Sequence, residues 1–239
     1  MEKIDVITLV YNRFAVVKQS IEWMKRDPGM KIRLIAVDDG STEEGLNSWL
    51  QSNVDLLVNL KQNVGISKAL NKAAAMTSGE WFIVIDSDTL VPSHYAKRML
   101  EEVEKHKKVY PKLAWMGFKV LKPDKTMQFY YRDLDDYGES LQMPGSDPKA
   151  VENNELHITT APAAPAYIMN REAFLNIGMA DGNLKRQWID ADIGMKLKHK
   201  GYVAMANPNI SFVHTSQHTG TQLDVIDHDY FKSKWRKRE

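Results

Sequence analysis

Along the N-terminal half of the chain, short apolar runs alternate with segments whose apolar positions recur every three or four residues. The runs predict strands and the periodic segments predict helices, because a strand buries a short β-branched stretch while an amphipathic helix buries one face. Strands are predicted at residues 4–10, 32–37, 54–60 and 81–85, and helices at residues 15–24, 42–50, 67–76 and 94–108. This alternation favours a parallel sheet covered by helices on both faces.

The alternation ends after Pro111, and the C-terminal half has a mixed pattern. Residues 132–157 are polar and rich in turn residues, which is typical of a long functional or disordered loop. Further strands are predicted at 113–121, 127–131, 166–169 and 210–213, and further helices at 172–177 and 190–200. The strands at 113–121 and 127–131 are expected to pair. Ser41 is predicted to cap the helix at 42–50, with Glu44 completing a capping box.

Composition narrows the classes of protein. The chain has 239 residues, is 43% hydrophobic and 26% charged, and suits one globular domain. It has no cysteine, so disulfides and thiolate metal sites are excluded. The formal net charge of +1 does not indicate a nucleic-acid surface. Basic residues at 232–238, interrupted by Phe231 and Trp235, indicate a solvated end, with a polyanion or membrane-surface contact as the alternative.

No segment is apolar enough to predict a transmembrane helix, and Glu2 and Asp5 are wrong for a signal peptide. A cytoplasmic location is therefore expected, with peripheral association at a membrane as an alternative.

Asp86 and Asp88 end the most apolar of the predicted strands, with Ser87 between them. In open α/β sheets, ligands bind at the C-terminal ends of the strands. Two neighbouring carboxylates repel each other unless a cation or hydrogen-bond donors lie between them. A divalent metal that carries a diphosphate would meet both requirements. The alternative is a solvated turn.

Other polar residues follow the first three strands at the same predicted edge. Asp38 and Asp39 offer acceptors for a nucleoside base or ribose, or else start a turn and cap the next helix. Tyr11 is placed to flank a base, or is an ordinary half-buried tyrosine. Asn63 and Gly65 precede a helix whose free N–H groups, with Lys68 on the first turn, would hold phosphate. The alternative is a plain helix start with a solvated lysine.

Four motifs occur in one order: Thr-Leu-Val-Tyr-Asn-Arg from residue 8, Val-Asp-Asp-Gly-Ser from residue 37, Asn-Val-Gly-Ile-Ser-Lys-Ala-Leu-Asn from residue 63, and Ser-Gly-Glu-Trp-Phe-Ile-Val-Ile-Asp-Ser-Asp from residue 78. Together they resemble the family 2 glycosyltransferases of the GT-A fold, continuously over residues 4–92. The resemblance implies a Rossmann-like α/β fold, with a mainly parallel sheet flanked by helices and a mixed acceptor-side half. We expect one catalytic domain over 1–239, with a nucleotide-sugar half (1–110), an acceptor-side half (111–220) and a C-terminal tail (221–239).

The segment Trp188-Ile189-Asp190-Ala191-Asp192 is similar to the family's Trp-Glu-Asp-x-Asp segment, with Ile189 where the family has a glutamate. The resemblance places Asp190 as the catalytic base. A plain helix-start acid is the alternative for Asp190. Asp192 is assigned to an acceptor contact or a structural role. Trp188 either stacks on an acceptor ring or packs in the core.

Family members often supply a further metal ligand near His214, which follows a predicted strand. The resemblance therefore implies Mn²⁺ or Mg²⁺ on Asp86, Asp88 and His214, with His218 as the competing histidine. Asp86 is assigned to the metal or to the ribose. The acceptor side is expected at residues 123–157 and 159–162, where the aromatic residues Phe129, Tyr130, Tyr131 and Tyr137 suit either stacking or packing.

The implied reaction is transfer of a sugar, with inversion, from a nucleoside-diphosphate sugar to a hydroxyl acceptor. UDP is favoured because the family often uses it. The acceptor is left open as a glycan, a lipid-linked glycan or another hydroxyl compound, and a role in polysaccharide biosynthesis is compatible with the sequence. A nucleotidyltransferase would carry a glycine-rich loop after the first strand, and residues 10–14 lack one. A non-catalytic nucleotide- or glycan-binding module and a nucleic-acid-modifying glycosyltransferase stay open as alternatives.

Overall fold

The computed structural model describes residues 3–142, 155–215 and 222–236. The strands are β1 (Lys3–Val10), β2 (Lys31–Asp38), β3 (Leu56–Asn59), β4 (Trp81–Ile85), β5 (Thr89–Leu90), β6 (Leu113–Leu121), β7 (Met127–Phe129), β8 (Tyr131–Leu134), β9 (Ser140–Gln142), β10 (His157–Ile158), β11 (Ala161–Pro162), β12 (Ala166–Asn170) and β13 (Val203–His214). The helices are α1 (Phe14–Lys25), α2 (Leu46–Asn53), α3 (Ile66–Ala75), α4 (Tyr95–Lys107), α5 (Arg171–Asn176), α6 (Ile189–His199) and α7 (Gln222–Trp235).

The N-terminal half is the predicted parallel sheet. Strand β1 lies between β4 and β2, and β3 pairs with β2, all in parallel. Every residue of β4 is buried, because its side chains alternate between two apolar clusters. Phe82 and Val84 pack towards α3, and Ile83 and Ile85 towards α1 and α4. A strand that is covered on both faces has the continuous apolar sequence seen before Asp86.

The C-terminal half extends the same sheet with mixed pairing, so the predicted α/β fold is confirmed. Strand β12 pairs antiparallel with both β4 and β6, and β13 runs parallel to β6. The predicted pairing after residue 113 is confirmed for β6 and β7, where Val120 faces Phe129. Tyr131, by contrast, begins β8, which belongs to a separate small sheet with β9 and β11.

Two local predictions were wrong. Ser41 does not cap a helix: α2 begins at Leu46 after Gly45 in a left-handed conformation (φ 79°), and the Ser41 hydroxyl accepts a hydrogen bond from the N–H of Asn12. The C-terminal segment is also not a solvated end. It forms α7, whose Phe231 is fully buried in the core. Lys237 and Arg238 lie outside the described residues.

Helix α6 packs unusually close to the polypeptide that enters β11. A Cβ atom at Gly194 would lie 2.0 Å from the carbonyl oxygen of Thr160, so only glycine permits this approach. This contact sets the distance between α6 and the backbone that leads into β11. It thereby also places the first turn of α6 at the edge of the sheet. None of the helices in the described part of the chain is long and apolar enough to cross a membrane.

Candidate functional site

Asp86, Asp88 and His214 meet at the C-terminal edge of β4. The two carboxylates follow β4 directly, and His214 is the last residue of β13, where it pairs with Thr89 of β5. This short antiparallel pairing brings a histidine from far along the chain beside the two acids. One ligand atom from each of the three side chains lies within 4.8 Å of the others. The predicted metal-binding trio is therefore assembled in space.

The charges in this cluster are strongly coupled. Nε2 of His214 lies 2.9 Å from Oδ1 of Asp88, and Nη1 of Arg13 lies 3.0 Å from Oδ2 of the same carboxylate. Burial and then the charge of Asp88 raise the pKa of Asp86 to about 7. Burial would lower the pKa of His214, but the hydrogen bond and charge of Asp88 outweigh it and raise that pKa.

The donor set fits a hard divalent cation. Two carboxylates and one imidazole supply oxygen and nitrogen ligands of the kind that Mn²⁺ and Mg²⁺ accept. In the protein alone, burial and then the charge of Asp88 disfavour the charged form of Asp86 and raise its pKa. A bound cation would reverse this preference by compensating both carboxylates.

A cavity of about 520 Å³ opens beside this cluster and joins the two halves of the domain. Its wall contains the metal-binding trio together with Asp190 and Trp188, which come from the start of α6 and the residue before it. Between them the wall is largely apolar, with Leu9, Ile66, Leu70, Val84, Trp115, Phe129 and Ile193. The cavity therefore combines an apolar lining with a few convergent charged groups, the usual composition of a ligand site.

Asp190 is on the first turn of α6, facing this cavity. Helix α6 starts abruptly, because Trp188 adopts a left-handed conformation (φ 61°) at its N-cap position. The carboxylate is close enough to Asp86 for its charge to contribute to the raised pKa of that residue, after burial and Asp88. The candidate base and the three candidate metal ligands thus line one cavity.

Asp192 does not reach the cavity. Its side chain is fully buried, and its carboxylate lies 2.9 Å from Nζ of Lys196 and 2.6 Å from Nζ of Lys234. The indole N–H of Trp235 donates to it as well, at 3.0 Å. The expected acceptor contact was therefore wrong for Asp192, because this carboxylate joins α6 to α7 instead.

Trp188 lines the cavity but is also packed on several sides. The guanidinium carbon of Arg132 lies 4.4 Å from the centre of the ring system, and the rings of His228 and Phe231 lie 4.7 and 4.9 Å away. These neighbours cover part of the ring surface, while the remainder lines the cavity, so stacking on an acceptor ring stays a prediction.

The turn before α3 does not offer the free N–H groups predicted for a phosphate. The carboxylate of Asp39 accepts the N–H groups of Val64 (2.7 Å) and Gly65 (3.0 Å), and Ile66 donates to the carbonyl oxygen of Lys185 (2.7 Å). These three N–H groups are therefore used within the protein, and the phosphate site stays a prediction for Lys68 and the rest of the first turn of α3. Burial raises the pKa of Asp39, although these two hydrogen bonds act against the rise.

The other residues expected to bind nucleotide lie apart from the cavity wall. Asp38 is buried and accepts the N–H of Ser41 and the amide of Asn47, as in the turn-forming alternative. Lys68 and Asn63 are exposed. Tyr11 is 50% exposed at the end of β1, where a flat ring remains open to a base.

Several polar residues of the cavity wall were not identified from the sequence, among them Arg13, Gln128 and Arg132. Arg13 was quoted in a motif without a role, yet its guanidinium contacts Asp88. Gln128 hydrogen-bonds Nδ1 of His214 at 3.1 Å. Arg132 was overlooked beside its aromatic neighbours, of which Phe129 lines the cavity while Tyr130 and Tyr131 are buried packing residues. Arg13 directly precedes α1, and Gln128 and Arg132 lie on the short strands β7 and β8, where a single polar residue gives no periodic signal.

The competing histidine, His218, and residues 143–154 of the loop expected at the acceptor side lie outside the described residues. Residues 159–160 hydrogen-bond Asp133 and Leu134. Tyr137 is exposed.

Comparison with known proteins identifies sequence relatives. A family model described as glycosyl transferase family 2 matches residues 5–174. Glycosyltransferase GlyG of Streptococcus pneumoniae serotype 4 is 24% identical over 107 residues, which cover 43% of this chain and 36% of that protein. The chain spans about a third of the length of the curated relatives it matches.

Solved structures share the fold at low identity. GalNAc-T7, crystallised with UDP, GalNAc and Mn²⁺, superposes with a TM-score of 0.71 at 12% identity, covering 97% of this chain and 47% of that one. The mannosyltransferase PcManGT of Pyrobaculum calidifontis, in complex with GDP-Man and Mn²⁺, gives a TM-score of 0.63 at 19% identity, covering 91% of this chain and 58% of that one. These likenesses establish a GT-A arrangement of the sheet and helices.

Proposed function

Because the chain belongs to glycosyl transferase family 2, we propose that it transfers a sugar from a nucleoside-diphosphate sugar to a hydroxyl acceptor, with inversion at the anomeric carbon. UDP is the proposed nucleotide, on the resemblance of the N-terminal motifs. The proposed acceptor is a glycan or lipid-linked glycan of polysaccharide assembly.

One observation carries the proposal: Asp86, Asp88, His214 and Asp190 line the same cavity. The family match ends at residue 174, so two of these residues lie beyond it. Their convergence with the two carboxylates after β4 therefore supports the proposal independently of the match. A metal site and a base that line one cavity are what a single displacement at a sugar carbon requires.

Each residue has a proposed part in the reaction. Asp86, Asp88 and His214 would hold Mn²⁺ or Mg²⁺, which when bound would offset the charge developing on the departing diphosphate. Asp190 would accept the proton of the acceptor hydroxyl as its oxygen attacks the sugar. Tyr11 would contact the base at the edge formed by β1 and β2. The apolar wall of the cavity would limit the access of water to the donor sugar.

The proposal is tested by thermal unfolding with UDP, GDP or TDP, each with and without Mn²⁺. A ligand that binds only the native state stabilises it by about 2.7 kcal/mol at 100 times its dissociation constant. We expect a metal-dependent rise in the unfolding temperature with UDP, lost in Asp88→Asn. Asp229→Asn is the matched control, because this carboxylate is 77% exposed on α7.

Activity is then measured as metal-dependent release of UDP from UDP-sugars in the presence of candidate glycan acceptors. Stabilisation by GDP or TDP in place of UDP would change the proposed donor. Absence of stabilisation by all three nucleotides would contradict the transferase assignment.

A further inference from the structure

The carboxylate of Asp227, on α7, is buried against the backbone of the segment that leads to Asp190. Asp227 is 1% exposed. Its oxygens accept the N–H of Lys185 at 3.1 Å, and Oδ2 accepts those of Arg186 at 2.7 Å and Gln187 at 2.8 Å. Three consecutive N–H groups thus converge on one carboxylate. The sequence analysis assigned no role to this residue.

This arrangement is electrostatically demanding. A buried carboxylate is costly unless donors compensate its charge, and hydrogen bonds to a charged acceptor are about twice as strong as neutral ones. The three N–H groups would also be costly to bury without an acceptor. Asp227 and the backbone of residues 185–187 therefore hold each other in place, and a neutral apolar side chain at 227 would leave several buried donors without a partner.

The same segment is also held by residues of the N-terminal half of the chain, around the start of α3. The carbonyl oxygen of Lys185 accepts the N–H of Ile66 at 2.7 Å, and the carboxylate of Asp39 orders the turn just before Ile66. A Cβ atom at Gly65 would lie 2.9 Å from the backbone of Lys185. The segment is thus clamped between the start of α3 and α7.

The clamped segment forms part of the cavity wall. Arg186, Gln187 and Trp188 line the cavity directly before Asp190. Helix α7 supports this stretch a second time through the stacking of Phe231 on Trp188 at 4.9 Å. The trio of Asp86, Asp88 and His214, by contrast, is built on β4 and β13.

We propose that Asp227 is a positioning residue of the active site, which holds residues 185–188 so that Asp190 faces the reacting hydroxyl. The effect of Asp227 on catalysis rests on the proposed transferase function. Its placement of residues 185–188 rests on the contacts of Asp227 itself. Asp227 lies beyond the residues matched by the family model. It acts through Asp190 and touches no substrate itself.

The test compares Asp227→Ala and Asp227→Asn with Asp229→Ala, which removes an exposed carboxylate from the same helix. For Asp227→Ala we expect kcat to fall about 10- to 100-fold, the range expected when a catalytic group is displaced by about an ångström. The affinity for UDP with Mn²⁺, measured by titration, should stay unchanged. Asp227→Asn should recover part of kcat, because one amide oxygen can replace Oδ2.

Amide hydrogen exchange gives a readout that needs no turnover. The amides of residues 185–187 should exchange faster in Asp227→Ala than in wild type or Asp229→Ala, while those of α3 keep their protection. Unchanged exchange at 185–187 would overturn the inference, and so would a parallel loss of kcat and UDP affinity in Asp227→Asn. If the wild-type protein transfers no sugar, but the amides of residues 185–187 still exchange faster in Asp227→Ala, the proposed function fails. The positioning of the segment by Asp227 then stands.

Discussion

Nδ1 of His214 lies 3.1 Å from Oε1 of Gln128, on the side of the imidazole away from the two carboxylates. An amide oxygen only accepts, so this contact requires the proton on Nδ1. Nε2 lies 2.9 Å from Oδ1 of Asp88, which also only accepts, so without a cation both ring nitrogens donate and the imidazole is charged. A bound cation would take the place of the proton on Nε2, and the hydrogen bond from Nδ1 to Gln128 would then hold the ring in the orientation and tautomer that a metal ligand needs.

Replacing Gln128 should therefore weaken the metal site without removing a ligand. For Gln128→Met, which is similar in size and lacks the acceptor oxygen, we expect the affinity for Mn²⁺ to fall about 10- to 100-fold. This affinity is measured directly by titrating the protein with Mn²⁺ while the signal of the free ion is monitored. Gln51→Met, at an exposed position on α2, is the control. Equal affinities in both variants would show that Gln128 does not orient the histidine.

Removing the base should separate chemistry from binding. In Asp190→Asn we expect kcat to fall about 10²- to 10⁴-fold, since the amide cannot accept the hydroxyl proton. Stabilisation by UDP and Mn²⁺ should persist, because the three proposed ligands are intact. The measurement is initial rate at saturating donor and acceptor, with thermal unfolding on the same samples. Full activity in Asp190→Asn would assign the base to another residue.

Two glycines with positive φ provide a comparison that tests the clamp on residues 185–187. Both would be strained by a side chain, and Gly65 (φ +90°, ψ 159°) has a backbone conformation that is essentially restricted to glycine, whereas Gly178 has φ +77°. Only at Gly65 would the new Cβ also meet backbone, 2.9 Å from Lys185, whereas Gly178 has open space. We expect Gly65→Ala to lower the free energy of unfolding by about 1–3 kcal/mol more than Gly178→Ala. Urea denaturation measures both, and equal losses would contradict a tight contact at Lys185.

The ion pair between Asp181 and Lys234 should make the docking of α7 sensitive to acid. Burial would raise the pKa of Asp181, but hydrogen bonds from Lys234, Asn183 and Tyr230 lower it to about 2. The unfolded value is about 3.9, so the carboxylate stabilises the fold above pH 4 and loses this contribution as the pH falls towards 2. Asp181→Asn should be less stable than wild type by at most about 2 kcal/mol at pH 7.

The difference between wild type and Asp181→Asn should shrink between pH 4 and pH 2, as followed by urea denaturation at each pH. Asp229→Asn, at an exposed carboxylate, should differ from wild type by an amount that does not change over this range. A constant deficit for Asp181→Asn would show that its charge does not contribute.

The sequence predicted the parallel half of the sheet well. The run from Trp81 to Ile85 is apolar because both faces of β4 are covered, and the two acids appear where that cover ends. Such patterns depend only on neighbouring residues, so they can be recognised without knowledge of the rest of the fold. The metal-binding trio was also predicted, although His214 came from the resemblance to a family and not from periodicity.

The polar contacts of the turns were predicted less well. Asp39 and Gly65 have the residue types of a nucleotide site, but the structure uses them to join backbone segments. A carboxylate or a free N–H at a strand end has the same sequence signature whether a ligand or another loop satisfies it. Only the position of the segment around Lys185 decides between the two.

The sequence alone was therefore enough to predict the alternating strands and helices of the N-terminal half, the burial of β4 and the chemical types of the candidate site residues, because each depends on neighbours along the chain. The tertiary structure alone decided that α7 docks on the domain, that Asp192 faces away from the cavity and that Asp227 holds the backbone before Asp190. These features join residues about 40 positions apart, and their energy comes from pairing buried charges with distant donors. No local sequence pattern predicts which donor a buried carboxylate will contact.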